Sequence, residues 1–114
     1  MICDAFDVVI VPFPFAEIAG AKRRPAAVLS DASSFQARSG HALMAMITTK
    51  AIPAWPFDVP IAELASAGLK SPSVIRMKLF TLDLRLVLGK LGSLGPTDKK
   101  AVQNALKNLL GLDC

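Results

Sequence analysis

The chain has 114 residues, 53% of them hydrophobic, which suffices for one domain with a core and not for two. Thirteen Lys and Arg against nine Asp and Glu leave a net charge of +4, favouring an anionic partner such as nucleic acid or an acidic protein. No apolar run reaches the ~18 residues of a membrane span, and the start MICDAFD lacks the basic and apolar regions of a signal peptide. Cys3 and Cys114 stand at the two ends and read as free thiols, so a reducing, cytoplasmic setting is expected.

In chain order, DVVIVPFPF (Asp7 to Phe15) is β-branched and aromatic and predicts a strand. Pro12 and Pro14 remove donors on one side of it, so it is expected at the sheet's edge or leaving the sheet. AEIAGAK (Ala16 to Lys22) reads as a loop, with Arg24 its last residue before Pro25. PAAVLS (25–30) and HALMAMITT (His41 to Thr49) have strand length and character, with the polar, Ser-rich DASSFQARSG between them. AIPAWPFDVP holds three prolines and predicts a connector with a short edge strand at Phe57 to Val59. IAELASAG fits one or two helical turns stopped by Gly68. Two further strands are predicted over Ser73 to Leu82 and Arg85 to Leu94, the second interrupted by Gly89. Gly95, Pro96 and Thr97 mark a helix start, and Ala101, Val102, Ala105, Leu106, Leu109 and Leu110 recur at a 3.6-residue period before Gly111. The result is a small, curled antiparallel sheet with a C-terminal helix over one side, as a single domain spanning 1–114.

Several chemistries lack their residues. One histidine and no Cys-x-x-Cys or His-x-x-x-His spacing argue against zinc, and isolated acids argue against a two-metal nuclease. There is no phosphate-cradling glycine loop and no Gly-x-Ser-x-Gly elbow, so no nucleotide cofactor is expected. What remains is a set of cations and hydroxyls at strand ends: Lys22, Arg23, Arg24, Thr48, Thr49, Lys50, Ser73, Arg76 and Lys78.

The ordered series DVVIVPFPF, KRRPAAVLS, MITTK, GLKSPSVIRMKLFTLD and LGKLGSL, followed by the helix, resembles the MazF/PemK family of toxin–antitoxin ribonucleases from about Phe6 to Leu112. Each motif alone is weak, but the set in this order is specific. The resemblance implies a mainly β, SH3-like barrel with a C-terminal helix, usually a homodimer. It implies metal-independent cleavage of single-stranded RNA by attack of the ribose 2′-hydroxyl on the adjacent phosphate. It further implies an acidic antitoxin partner whose extended tail occupies the RNA groove, and promoter DNA bound mainly through the antitoxin complex.

On this resemblance Arg24, Thr48 and Arg76 are the catalytic candidates, with Lys22, Arg23, Thr49, Lys50, Ser73 and Lys78 as RNA contacts. A phosphorane gathers negative charge, which suits an arginine fork and a hydroxyl donor. Arg76 is assigned phosphate contact or proton donation to the leaving oxygen. Two positions depart from the family. Phe6 stands where a glycine usually precedes Asp7, and Lys78 stands where the PemK branch carries its proposed basic carboxylate. The base is left to Glu17 or Asp31, neither within a motif. Plainer readings compete: Lys22 and Arg23 as solvated charges, Ser73 as a turn former, His41 as a surface residue, Trp55 as either a stacking platform or a cap on the core. CcdB-type toxins share the barrel and bind gyrase without cutting RNA, and a non-cleaving binding module is a third alternative.

Overall fold

Strand alternation builds a sheet with two apolar faces. The computed structural model describes residues 3–13, 22–49 and 53–112. Its strands are β1 (Asp7–Phe13), β2 (Lys22–Val28), β3 (His41–Thr48), β4 (Val59–Pro60), β5 (Val74–Asp83) and β6 (Gly89–Ser93). They form one curled antiparallel sheet in the order β4-β5-β3-β2-β1-β6. One face carries Val8, Ala27, Ala45, Ile47 and Ile75, and on it lies α3 (Pro96–Leu110) through Val102 and Ala105. The other carries Val9, Val11, Ala26, Val28, Met44 and Leu82, closed at one end by Cys3 and Leu84.

The helix is anchored where its dipole favours an anion. Asp98, in the first turn and almost fully buried, accepts hydrogen bonds from the backbone N–H groups of Ala62 (2.9 Å) and Glu63 (3.0 Å). Those residues lead into α2 (Leu64–Ala67), which Gly68 ends at φ 74°. A Cβ on Gly68 would strike the Leu91 carbonyl, so only glycine meets both the angle and the contact.

Three expectations change, and one stretch that carried none is helical. β1 is interior along Asp7–Ile10, between β2 and β6, and not an edge strand; β6 stops at Ile10, so Pro12 costs that ladder nothing. Lys22–Arg24 belong to β2, because β1 pairs with them as far as Phe13↔Lys22. The polar stretch after β2 is helical, a π-turn over Ala32–Gln36 running into α1 (Ala37–Ser39). Asp31 caps it, and buried Gln36 accepts from Cys3 N–H at 2.9 Å. The segment from Arg85 begins as a 3-10 turn, Leu84–Leu86, capped by Asp83, and becomes a strand only at Gly89.

The tight turn before β1 forms without its glycine. Phe6 takes φ 70° and packs on the helix-covered core, a left-handed conformation that costs roughly 1 kcal/mol in an L-residue. Asp7 is buried and bound by Asp4 N–H (2.9 Å), Ser93 Oγ (2.9 Å) and Lys90 Nζ (3.3 Å), which makes it a structural carboxylate. Cys3 is a buried free thiol whose pKa burial pushes up; Cys114 lies outside the described residues.

Candidate active site

Pro25 creates the opening in the sheet. It has no N–H to give to β3, and the β2–β3 ladder stops one residue later at Ala26↔Met46. Beyond that point β2 stays paired with β1 alone, through Val11↔Arg24, Pro12↔Arg23 and Phe13↔Lys22. A pocket of about 390 Å³ lies along this gap, lined by Arg24, Pro25, Met46, Ile47, Thr48 and Thr49. Continuing the β2–β3 register past Ala26↔Met46 sets Arg24 opposite Thr48, on the sheet face away from α3. Arg24 is exposed and, among the described residues, joins no ion pair; Thr48 is half-buried. Arg24 and Thr48 thus line one cavity, with the Arg24 charge unpaired among the described residues, an arrangement suited to a phosphodiester.

Arg76 lies in the next row of the same face. It pairs with Met46 across β3–β5, and a shift of register there leaves Met77 and Lys78 of β5 without partners in β3. Ideal strand spacing puts its Cα ~12 Å from that of Arg24, two strands over and two residues along. Its side chain is engaged: Nε donates to Asp58 Oδ1 (3.2 Å), and Nη2 donates to Asp58 Oδ2 (2.9 Å) and the Pro53 carbonyl (3.2 Å). Hydrogen bonding from Arg76 holds the Asp58 carboxyl below its ordinary value, and Asp58 in turn raises the Arg76 guanidinium. A raised guanidinium holds its proton more tightly, so this geometry favours charge stabilisation over proton donation.

Lys78, exposed, sits with Nζ 4.5 Å from the Trp55 ring centroid, and Trp55 Nε1 donates to the Met77 carbonyl at 3.3 Å. Trp55 is still 42% exposed, so it rests on β5 as a half-open platform and not as a core cap. Asp58 also accepts from Trp55 N–H at 3.0 Å. The 53–58 segment is therefore clamped onto β5, and Asp58 is the residue that sequence reasoning missed. Its signal is faint: an acid one position before a two-residue strand, inside a stretch that its prolines mark as a connector.

The other candidates divide by position. Lys22 and Arg23 are exposed on β2 beside the opening, and Thr49 lines the pocket. Ser73 is buried and spends its hydroxyl on the Ser71 carbonyl at 2.8 Å, the turn-forming role. Asp31 is exposed beyond the opposite end of β2, seven residues from Arg24, with its carboxylate on Ser33 and Ser34; the Ser34 N–H foremost lowers its pKa. The structure does not bring it to the pocket. His41 also lies at that far end, its Nδ1 3.1 Å from the Ser39 carbonyl. Glu17 and Lys50 lie outside the described residues. Among the described residues no group of three His, Cys, Asp or Glu could hold a metal ion.

A family model described as PemK-like, MazF-like toxin of type II toxin–antitoxin system matches residues 4–110. The chain belongs to the PemK/MazF toxin family. Solved structures place this toxin-family member among close folds. The MazE–MazF structure (Form-III) from Deinococcus radiodurans is 27% identical with TM-score 0.76, covering 97% of this chain and 98% of that chain. Mycobacterium tuberculosis toxin MazF-mt6 shares the fold at 23% identity and TM-score 0.74, over 95% of this chain and 99% of that one. An endoribonuclease in complex with its cognate antitoxin, from a mycobacterial species, does so at 18% identity and TM-score 0.71, over 98% and 96%. No curated protein matches this toxin-family chain in sequence.

Proposed function

We propose that this toxin is an endoribonuclease that cleaves single-stranded RNA without a metal and is inhibited by an acidic antitoxin. The observation that carries the reading is the Arg24–Thr48 pair facing one cavity where Pro25 ends the β2–β3 ladder. The scissile phosphate lies on Arg24, with the Thr48 hydroxyl donating to a non-bridging oxygen. The neighbouring 2′-oxygen attacks phosphorus, losing its proton to a base. As the phosphorane collapses, the P–O5′ bond breaks, leaving a 2′,3′-cyclic phosphate and a 5′-hydroxyl that gains a proton. The arginines stabilise the charge that gathers on the phosphorane oxygens. Of the two carboxylates considered as base, Asp31 is held at the far end of β2, which leaves Glu17, in the segment that leads into Lys22.

The cationic lip Lys22–Arg24 suits RNA phosphates and an acidic antitoxin tail alike, so inhibition is competition for one surface. The MazE–MazF relative supports an antitoxin partner. A homodimer, promoter binding through the antitoxin complex and a cytoplasmic location complete the proposal. No helix among the described residues is long and apolar enough to cross a membrane. A gyrase-binding role has no use for Arg24 and Thr48 around a cavity. The test is incubation of antitoxin-free protein with a long single-stranded RNA in excess EDTA. Defined fragments ending in cyclic phosphate support the reading; intact RNA with a folded chain rules it out.

A further inference from the structure

We propose that Asp58 is a positioning residue for the reaction, holding the Arg76 guanidinium so that its remaining edge faces the RNA. This rests on the nuclease reading above. The β4–β5 register, Val59↔Ile75 and Pro60↔Val74, extends by one residue to set Asp58 opposite Arg76. One row of a single sheet face then runs Asp58, Arg76, Met46, Ala26, beside the row that ends in Thr48 and Arg24.

The contacts are side-on. Asp58 takes Nε and one Nη2 hydrogen, and the Pro53 carbonyl takes Nη2 as well. Among the described residues, Nη1 donates to nothing. A guanidinium has five N–H groups in a rigid plane, so fixing the Nε–Nη2 edge fixes where Nη1 points. The side chains of the pair are only 13% and 14% exposed, which limits the water competing for these bonds. Asp58 itself is fixed by Trp55 N–H, and the Trp55 ring by the Met77 carbonyl and Lys78. The carboxylate is thus held from behind, as an orienting partner must be.

The test is a double-mutant cycle of Asp58→Asn and Arg76→Ala, read as kcat and KM for single-stranded RNA cleavage in EDTA, with melting temperatures alongside. Asp58→Asn keeps the size of the side chain and one acceptor. It is expected to lower kcat on the order of 10-fold, the lower range for losing an orienting partner, with KM within about twofold. The double variant should cut no more slowly than Arg76→Ala alone, because Asp58 acts only through that arginine. Asp58→Glu, which restores the charge, should recover part of the rate.

Additive losses in the double variant would mean that Asp58 acts apart from Arg76 and overturn the proposal. Faster cleavage by Asp58→Asn would make Asp58 an obstruction. Disappearance of the acidic limb of the pH–rate profile in Asp58→Asn would make it the base itself. A wild-type chain that leaves RNA intact defeats the nuclease reading, and this proposal with it. A wild-type chain that cuts while Asp58→Asn is unchanged defeats this proposal alone.

Discussion

The two ends of the β2–β3 ladder carry similar parts and arrange them oppositely. Each has an arginine, a hydroxyl-bearing neighbour and a cavity, about 390 Å³ beside Arg24 and about 480 Å³ beside His41 and Arg85. At the His41 end the arginine that lines the cavity is paired, although Arg38 of α1 joins no ion pair among the described residues. Arg85 forks onto Asp83 at 2.7–3.2 Å and holds its carboxyl well below the usual carboxylate range, and Asp31 is spent on serine N–H groups. At the Arg24 end the cations Lys22, Arg23 and Arg24 join no ion pair among the described residues. Of these two cavities, the larger is the quiet one in that its lining arginine is paired. Uncompensated charge beside a hydroxyl, and not volume, marks the end suited to a phosphate.

Removing charge from each end in turn tests this most directly. Arg24→Ala should lower kcat for RNA cleavage on the order of 10²–10³-fold, the scale of a lost transition-state donor, with an unchanged melting temperature because the side chain is exposed. Single-turnover rates and thermal melts on the same sample check both halves. Thr48→Val keeps the β-branch and removes the hydroxyl; a loss of about 10-fold in kcat is expected for one neutral hydrogen bond in the transition state.

Acid titration sharpens the comparison within the end that carries Arg24 and Arg76. The folded pKa of Asp58 is depressed by Arg76, so its contribution to stability is complete above the unfolded carboxylate value of roughly 3.9 and is lost as pH falls through the lower folded value. The melting-temperature gap between wild type and Asp58→Asn should therefore be present at neutral pH and close in acid. A gap that widened in acid would contradict the ion pair. The smallest effect belongs to the quiet end: Arg85→Ala should leave cleavage within about twofold, since an exposed ion pair is worth ~1 kcal/mol or less and lies away from the pocket. A large loss there would refute the distinction between the ends.

Legibility followed the range of the interactions. β3, β5 and α3 were readable because their apolar residues alternate or recur every 3.6 residues against a single core. The Ala32–Ser39 helical passage was not, because Gln36 is held by Cys3, 33 residues away, and Ser-rich composition resembles a loop. Phe6 hid a left-handed turn behind a side chain that disfavours it. Arg24 and Thr48 were singled out through family resemblance, and both line one pocket, whereas the Asp58–Arg76 pair was not foreseen, because no local pattern announces a cross-strand carboxylate.

By itself the sequence determined the number and kind of most elements, the basic charge, and the proline that ends the β2–β3 ladder, since periodicity and a missing N–H are local properties. Only the tertiary structure decided that Arg76 is paired across strands and that Arg24, among the described residues, is not. Lys22 to Arg24 and Arg85 look alike as residues. Strand register gives Arg76 the Asp58 carboxylate from 18 residues away, whereas Arg85 takes Asp83 from its own turn, two residues before it.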